Sequence, residues 1–317
     1  AALRSTGVGV EVVLVENGGS EATIASFESH PDVSVVRPGR NTGFAEGCNL
    51  GVAASSAPLV ALVNPDAVVE PGALAALAAV ARRPEVGVAT ASLRLADAPD
   101  RMNSAGNEMS FLGLSWAGHF DEPADRFPEQ FEVLSASGAA MMCRRELWDR
   151  LGGLPEWFFA YFEDTEFSLR VWQAGLAILF VPDAVVVHRY EFSRNPEKFF
   201  LLERNRLATM LTCLDSRHLM AILPLLVLME LGLCALALRQ GWFPQKLRSY
   251  RAVLAERRNL RARRTQVMGA RTAPPGHLLG LFATHLRPGN LPDTHPPVII
   301  ERLLALYWRT AVRFIDR

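Results

Sequence analysis

The sequence lacks the marks of several common protein classes. It carries no net charge, 33 Lys and Arg balancing 33 Asp and Glu, which argues against nucleic-acid binding by the whole surface and leaves only local patches open. Cysteine is scarce: Cys48, Cys143, Cys213 and Cys234 stand far apart, with no C-x-x-C pair. That spacing gives neither a zinc site nor a disulfide framework, and it fits a reducing compartment. No signal peptide opens the chain, which starts at Ala1 rather than Met. G-x-G-x-x-G is missing, because Gly43, Gly47 and Gly51 are spaced by four, so a dinucleotide site has no support. There is no G-x-x-x-x-G-K-[ST] loop, and Gly113, Ser115 and Gly118 stand one residue too far apart for a nucleophile elbow. Internal repeats and low-complexity tracts are absent too. Half the residues are apolar, which excludes a disordered chain.

What is present divides the 317 residues in two. Up to about Tyr190, short apolar runs alternate with helical stretches. Val10–Val15, Val33–Val36, Leu59–Val63, Val86–Ala89, Ile178–Val181 and Ala184–Val187 read as strands. Glu21–Ser29, Ala45–Ser55, Gly72–Arg82 and Thr165–Ala174 read as helices between them. This alternation predicts an α/β fold with a mainly parallel central sheet, covered on both faces. Ligands of such sheets sit beyond the carboxyl ends of the strands.

From residue 196 the strands stop, and residues 196–317 are expected to form a helical, membrane-associating region behind a 1–195 domain. Pro196–Cys213 reads as a helix, and Leu219–Leu238 is apolar apart from Glu230. Ten basic residues then crowd Arg239–Arg271 against the single acid Glu256, and Val298–Phe314 is amphipathic. An apolar segment beside a cationic one suits the anionic cytoplasmic face of a membrane, peripherally or monotopically bound. A buried helix followed by a solvated basic helix is the alternative, and the length of Leu219–Leu238 leaves a bilayer span open.

Four clusters follow predicted strands. The first is Glu16-Asn17-Gly18-Gly19-Ser20. The second, Arg40 to Asn49, enters a helix rich in small residues. Its backbone amides suit a phosphate, and Asn41 and Asn49 suit a nucleotide. The third is Asn64-Pro65-Asp66, whose acid is placed to hold a divalent cation on a diphosphate. The fourth runs from Ser137 to His188. It holds Gly138, the aromatic run Trp157 to Phe162, the acids Glu163 and Asp164, and a terminal histidine. Aromatic faces suit sugar rings, and an adjacent carboxylate suits a general base for a hydroxyl. Each cluster also has a plain structural reading: turn, packed glycine helix, helix cap, or strand-end histidine. Glu166 and Arg170 form an i,i+4 pair of structural character.

In order and spacing, these segments resemble family 2 glycosyltransferases of the GT-A fold, especially the bacterial rhamnosyltransferase-like group. The resemblance rests on VVLVENGGS, RNTGFAEGCNLG, LVNPDA, SGAAMMCRR, FFAYFEDTEFSLR and VPDAVVVH, over about residues 10–190. It implies a GT-A-type nucleotide-sugar-binding fold and an inverting, metal-dependent transferase working with Mg²⁺ or Mn²⁺. Asp164, beside Glu163, matches the base for the acceptor hydroxyl, and Asp66 and His188 match the metal site. Donor-side positions are Glu16, Asn17, Asn41, Gly43, Asn49, Asn64, Asp66 and Gly138, and acceptor-side positions are Trp157, Phe159 and Tyr161. The expected partners are a nucleotide-diphosphate sugar, most of all dTDP-rhamnose, and a lipid-linked glycan acceptor in cell-envelope polysaccharide synthesis. Glu16 and Asn64 depart from the residues most common at their positions. The strand that usually opens the family's fold is missing before Ala1, so the chain is read as a fragment. A non-catalytic nucleotide-sugar-binding subunit is the alternative function. A nucleotidyltransferase has no support, since no Gly-rich loop bearing Lys or Arg opens the chain.

Overall fold

A computed structural model describes residues 9–189, 196–287 and 296–316. The expected domain boundary at 195 abuts a segment outside the described residues. The first strand, β1 (Val12–Val15), lies parallel to β2 (Val33–Val36), and α1 (Glu21–Glu28) connects them. Ser20 caps α1 by accepting from the Thr23 amide, as expected of a serine just before a helix. Then come α2 (Gly43–Ala53), β3 (Leu59–Val63), β4 (Ala67–Val69), α3 (Ala73–Ala81) and the long β5 (Val86–Leu95). Short strands fill the middle: β6 (Ala98–Ser104), β7 (Asn107–Met109), β8 (Ser115–Ala117), β9 (Phe131–Glu132) and β10 (Ala140–Arg144). They lead to α4 (Arg145–Leu151), α5 (Glu163–Gln173) and β11 (Ala177–His188). Among the described residues, five α-helices follow: α6 (Pro196–Cys213), α7 (Ser216–Gln240), α8 (Phe243–Ala255), α9 (Arg257–Gly269) and α10 (Val298–Ile315).

The central sheet has the order β3-β10-β5-β11-β4, with β6 added beside β5 and β9 beside β11. The α/β class is as expected, but the sheet is mixed rather than mainly parallel. β5 and β11 run parallel, whereas β10 is antiparallel to both its neighbours and β4 is antiparallel to β11. A strand covered on both faces is apolar whichever way it runs, so its composition does not carry its direction. β11 was expected as two strands because Pro182 interrupts the apolar run. The chain instead crosses Pro182 within one strand, and the register with β5 shifts between Val181 and Val185.

The sheet buries a different cluster on each face. One gathers Leu74, Leu77 and Ala81 of α3 against Val86, Ala89 and Val186. The other joins Phe167, Leu169 and Trp172 of α5 to Met210, Val267, Trp308 and Ile315 of the C-terminal helices. The helices after residue 196 therefore complete the core beside α5.

Candidate active site

Strand ends bring the acids together. β3 stops at Val63, and the turn Asn64-Pro65-Asp66 leads straight into β4, which pairs with the end of β11. That register sets His188 opposite Ala67 and brings His188 Nε2 to 3.3 Å from Asp66 Oδ1. Asn64 Nδ2 lies 3.5 Å from the same ring nitrogen. The other ring nitrogen, Nδ1, is 2.9 Å from Asn103 Oδ1 on β6. With that amide oxygen as acceptor, Nδ1 carries a proton, and in the neutral ring Nε2 turns its lone pair toward Asp66. Two electron-rich atoms at this distance suit a shared cation, since bonds of about 2.1 Å set neighbouring ligands about 3 Å apart. The Asp66 side chain is half exposed, and Asn64 Oδ1 is buried with no hydrogen-bond partner. Among the described residues no group of three or more His, Cys, Asp or Glu forms a closed metal cage. A cation here would take its remaining ligands from water and a bound diphosphate.

Asp164 lies one strand away. The Asn64 amide donates to the Ala139 carbonyl (2.9 Å), and the amide of the neighbouring Gly138 donates to Asp164 Oδ2 (3.0 Å). Asn107 Nδ2 donates to the same oxygen at 3.2 Å, and the Thr165 amide donates to Oδ1 at 2.7 Å. These donors fix the carboxylate at the first turn of α5. Burial raises its pKa above the ordinary value, against the pull of the Gly138 and Thr165 amides, so the ionised group is a stronger base than a free aspartate. Glu163 points into the interior and is 6% exposed, with Oε2 unpartnered. Burial, then the charge of Asp164, lifts its pKa well above the ordinary range.

The aromatic run before α5 is strained. Phe159 has φ 63° and ψ −64°, and the Ala160 amide donates to the Phe158 carbonyl (2.7 Å), which makes a γ-turn of the rare positive-φ kind. Tyr161 and Phe162 also have positive φ. Such backbone persists only where its surroundings hold it. The Phe159 carbonyl accepts from the amides of Phe44 (2.6 Å) and Ala45 (3.1 Å) in the first turn of α2. Gly43 lets them approach, since a Cβ there would lie 2.5 Å from that carbonyl oxygen. From α6, Asn205 Nδ2 lies 2.7–2.9 Å from the carbonyls of Phe158, Ala160 and Tyr161. Arg204 donates to the carbonyls of Trp157 and Phe158, and its guanidinium sits 4.4 Å from the centre of the Trp157 ring. Phe159 and Tyr161 stay exposed.

The expected donor-side residues are placed unevenly. Asn17 accepts from the Thr42 amide (2.7 Å) and donates to the Gly43 carbonyl (2.6 Å), which stitches the loop after β1 to α2. Asn41 accepts from the Gly43 amide, and Glu16 accepts from the Gly18 amide. Asn49 spends both ends of its amide on the loop at Leu154, and also reaches Glu156. The first-turn amides of α2, expected to face a phosphate, are taken by Phe159. Sequence reasoning missed Asn103, Asn107, Arg204 and Asn205, whose contacts here span 44 to 85 positions.

The model of the family described as "Glycosyltransferase like family 2" matches residues 1–212. The chain belongs to that family. Among its relatives is the N-acetylglucosaminyl-diphospho-decaprenol L-rhamnosyltransferase of Mycobacterium tuberculosis, 30% identical over 203 residues, covering 56% of this chain and 66% of that enzyme. An uncharacterized Sinorhizobium fredii protein, y4gI, is 32% identical over 200 residues, covering 59% of this chain but 22% of its own length. The matches thus span under two thirds of either relative. Among solved structures, GalNAc-T7 with UDP, GalNAc and Mn²⁺ superposes with a TM-score of 0.53 at 16% identity, over 67% of this chain and 44% of that one. The shared architecture is the GT-A fold.

Proposed function

We propose that the chain transfers a sugar, with inversion, from a nucleotide diphosphate donor to a hydroxyl of a lipid-linked glycan. Rhamnose from dTDP-rhamnose is the favoured donor, by kinship with the mycobacterial enzyme. The observation that carries this reading is the short link between two chemical centres. The Asp66–His188 pair and the Asp164 carboxylate are joined through the single dipeptide Gly138-Ala139. A second link runs through β6 and β7, where Asn103 meets His188 and Asn107 meets Asp164.

Asp164 takes the proton of the acceptor hydroxyl as its oxygen bonds to the anomeric carbon. The bond from that carbon to the diphosphate breaks on the opposite face, and the diphosphate leaves with the electron pair. A Mg²⁺ or Mn²⁺ held by Asp66 and His188 would offset the charge growing on the leaving group. The exposed rings of Phe159 and Tyr161 supply an apolar wall for an acceptor sugar. The reading sets the enzyme at the cytoplasmic face of the membrane, and a lipid-linked acceptor and the apolar exposed face of α7 support membrane contact.

The test offers dTDP-rhamnose, UDP-galactofuranose and UDP-glucose with Mg²⁺ to membranes containing the protein. Transfer from one donor is expected, with a loss of about 10²-fold or more in Asp164→Asn while that variant still binds the donor. Undiminished transfer by Asp164→Asn would remove it as the base. Donor binding without transfer by the native protein would favour a binding subunit.

A further inference from the structure

Two helices turn apolar faces outward on the same side of the molecule. On α7, Met220, Leu223, Val227, Leu228, Leu231 and Leu238 are each at least half exposed. On α10, Ile299, Leu303, Leu306 and Phe314 are equally bare. The helices touch where Tyr307 Oη donates to the Ala221 carbonyl (2.5 Å). Between them runs a cavity of about 690 Å³, lined by Ala221, Leu225, Leu303, Leu306, Tyr307 and Phe314.

The inner faces are committed elsewhere. Glu230, near the middle of α7, pairs with Arg206 of α6 and with Lys246 and Tyr250 of α8. Arg206 and Lys246 are fully buried, so the middle of α7 is anchored to the folded body. On α10, Leu304, Trp308, Ala311 and Ile315 pack inward. At 100° per residue, the exposed Arg302, Arg309 and Arg313 fall within about 40° of one another and border the apolar stripe. An apolar face edged by arginines matches a hydrocarbon layer beneath anionic phosphates.

The inner face of α10, behind the groove, leads toward the candidate base: Trp308 stacks on Phe111 at 4.7 Å between ring centres, and Phe111 lies just beyond β7, whose Asn107 holds Asp164. We infer that the α7–α10 groove is the seat of the acceptor's isoprenoid chain, with the arginine stripe beside its phosphates. This inference rests on the lipid-linked acceptor proposed above and adds the place where its lipid is held.

The test needs no sugar transfer. The full chain is mixed with phosphatidylglycerol–phosphatidylcholine vesicles holding a diazirine-bearing polyprenyl phosphate, irradiated, and mapped by peptide mass spectrometry. Labelling is expected on α7 and α10, displaced by unlabelled polyprenyl phosphate but not by added phosphatidylglycerol. Leu303→Asp, which sets a charge in the groove, and Thr310→Trp, which fills it, should each cut labelling about tenfold, with nucleotide binding unchanged. Both positions are exposed, so neither variant threatens the fold. Labelling elsewhere, equal displacement by phosphatidylglycerol, or undiminished labelling of both variants would overturn the groove assignment. Groove labelling without transfer would count against the proposed reaction and leave the groove standing.

Discussion

Adjacent carboxylates on one helix turn meet opposite environments. Asp164 has three donors around its oxygens, whereas Glu163 is buried with one oxygen unpartnered. Burial raises both pKa values, that of Glu163 well above the ordinary one, while the donors around Asp164 favour its ionised form. The raised pKa of Glu163 has a consequence for stability. A carboxyl whose folded pKa exceeds its unfolded value contributes fully below the unfolded pKa and loses that contribution as pH rises through the folded one. Native protein therefore carries a penalty at alkaline pH that an uncharged isostere avoids. Glu163→Gln should melt higher than the native chain at pH 8 and level with it at pH 4. The gain is about 2–4 °C for each kcal/mol recovered. Scanning calorimetry at the two pH values checks it, and equal shifts at both would show that the pKa of Glu163 is not raised by folding. At this scale the sequence was partly legible. Asp66, His188 and Asp164 sit where strand ends and a helix start were expected to place them. Asn103 and Asn107 carried no local sign, because an asparagine in a short strand is marked only by what it meets far along the chain.

Elements hold the aromatic loop in a conformation its own sequence does not favour. The γ-turn at Phe159 is pinned from two sides, by the start of α2 and by Asn205 of α6. Asn205→Ala removes a buried donor from carbonyls that have few others, at a cost of about 1–3 kcal/mol. The loop should then loosen: the KM for the acceptor rises several-fold while the KM for the donor holds. Faster proteolytic cutting between Trp157 and Phe162 would report the same change, and unaltered kinetics with unaltered cutting would deny Asn205 this role. Helices were the most legible elements. α6 runs from Pro196 to Cys213, the limits its pattern predicts, because a long run with clear ends carries its own signal. The strands β6 to β9 were illegible. They are two to seven residues long and partly polar, so pairing with distant partners rather than propensity makes them strands.

The whole molecule is joined by charge as well as by apolar contact. Glu203, Arg206, Glu230 and Lys246 form a balanced set of two anions and two cations linking α6, α7 and α8. Glu166 of α5 binds Arg170 of its own helix, as the i,i+4 spacing predicts, and also Arg263 of α9. Glu230→Leu would leave a cation without its counter-charge and should destabilise the fold by about 3–5 kcal/mol. Adding Lys246→Met restores neutrality and should recover most of that loss in urea denaturation. Failure of the double variant to recover would mean that packing, not charge, governs the junction.

The core shared by α5, α9 and α10 also bears on how the chain can be cut. Trp308 and Ile315 are packed in one cluster with Phe167 and Trp172, so removing the last helix bares the apolar side of α5 as well. A chain shortened before α10 is left with an open core rather than a trimmed tail.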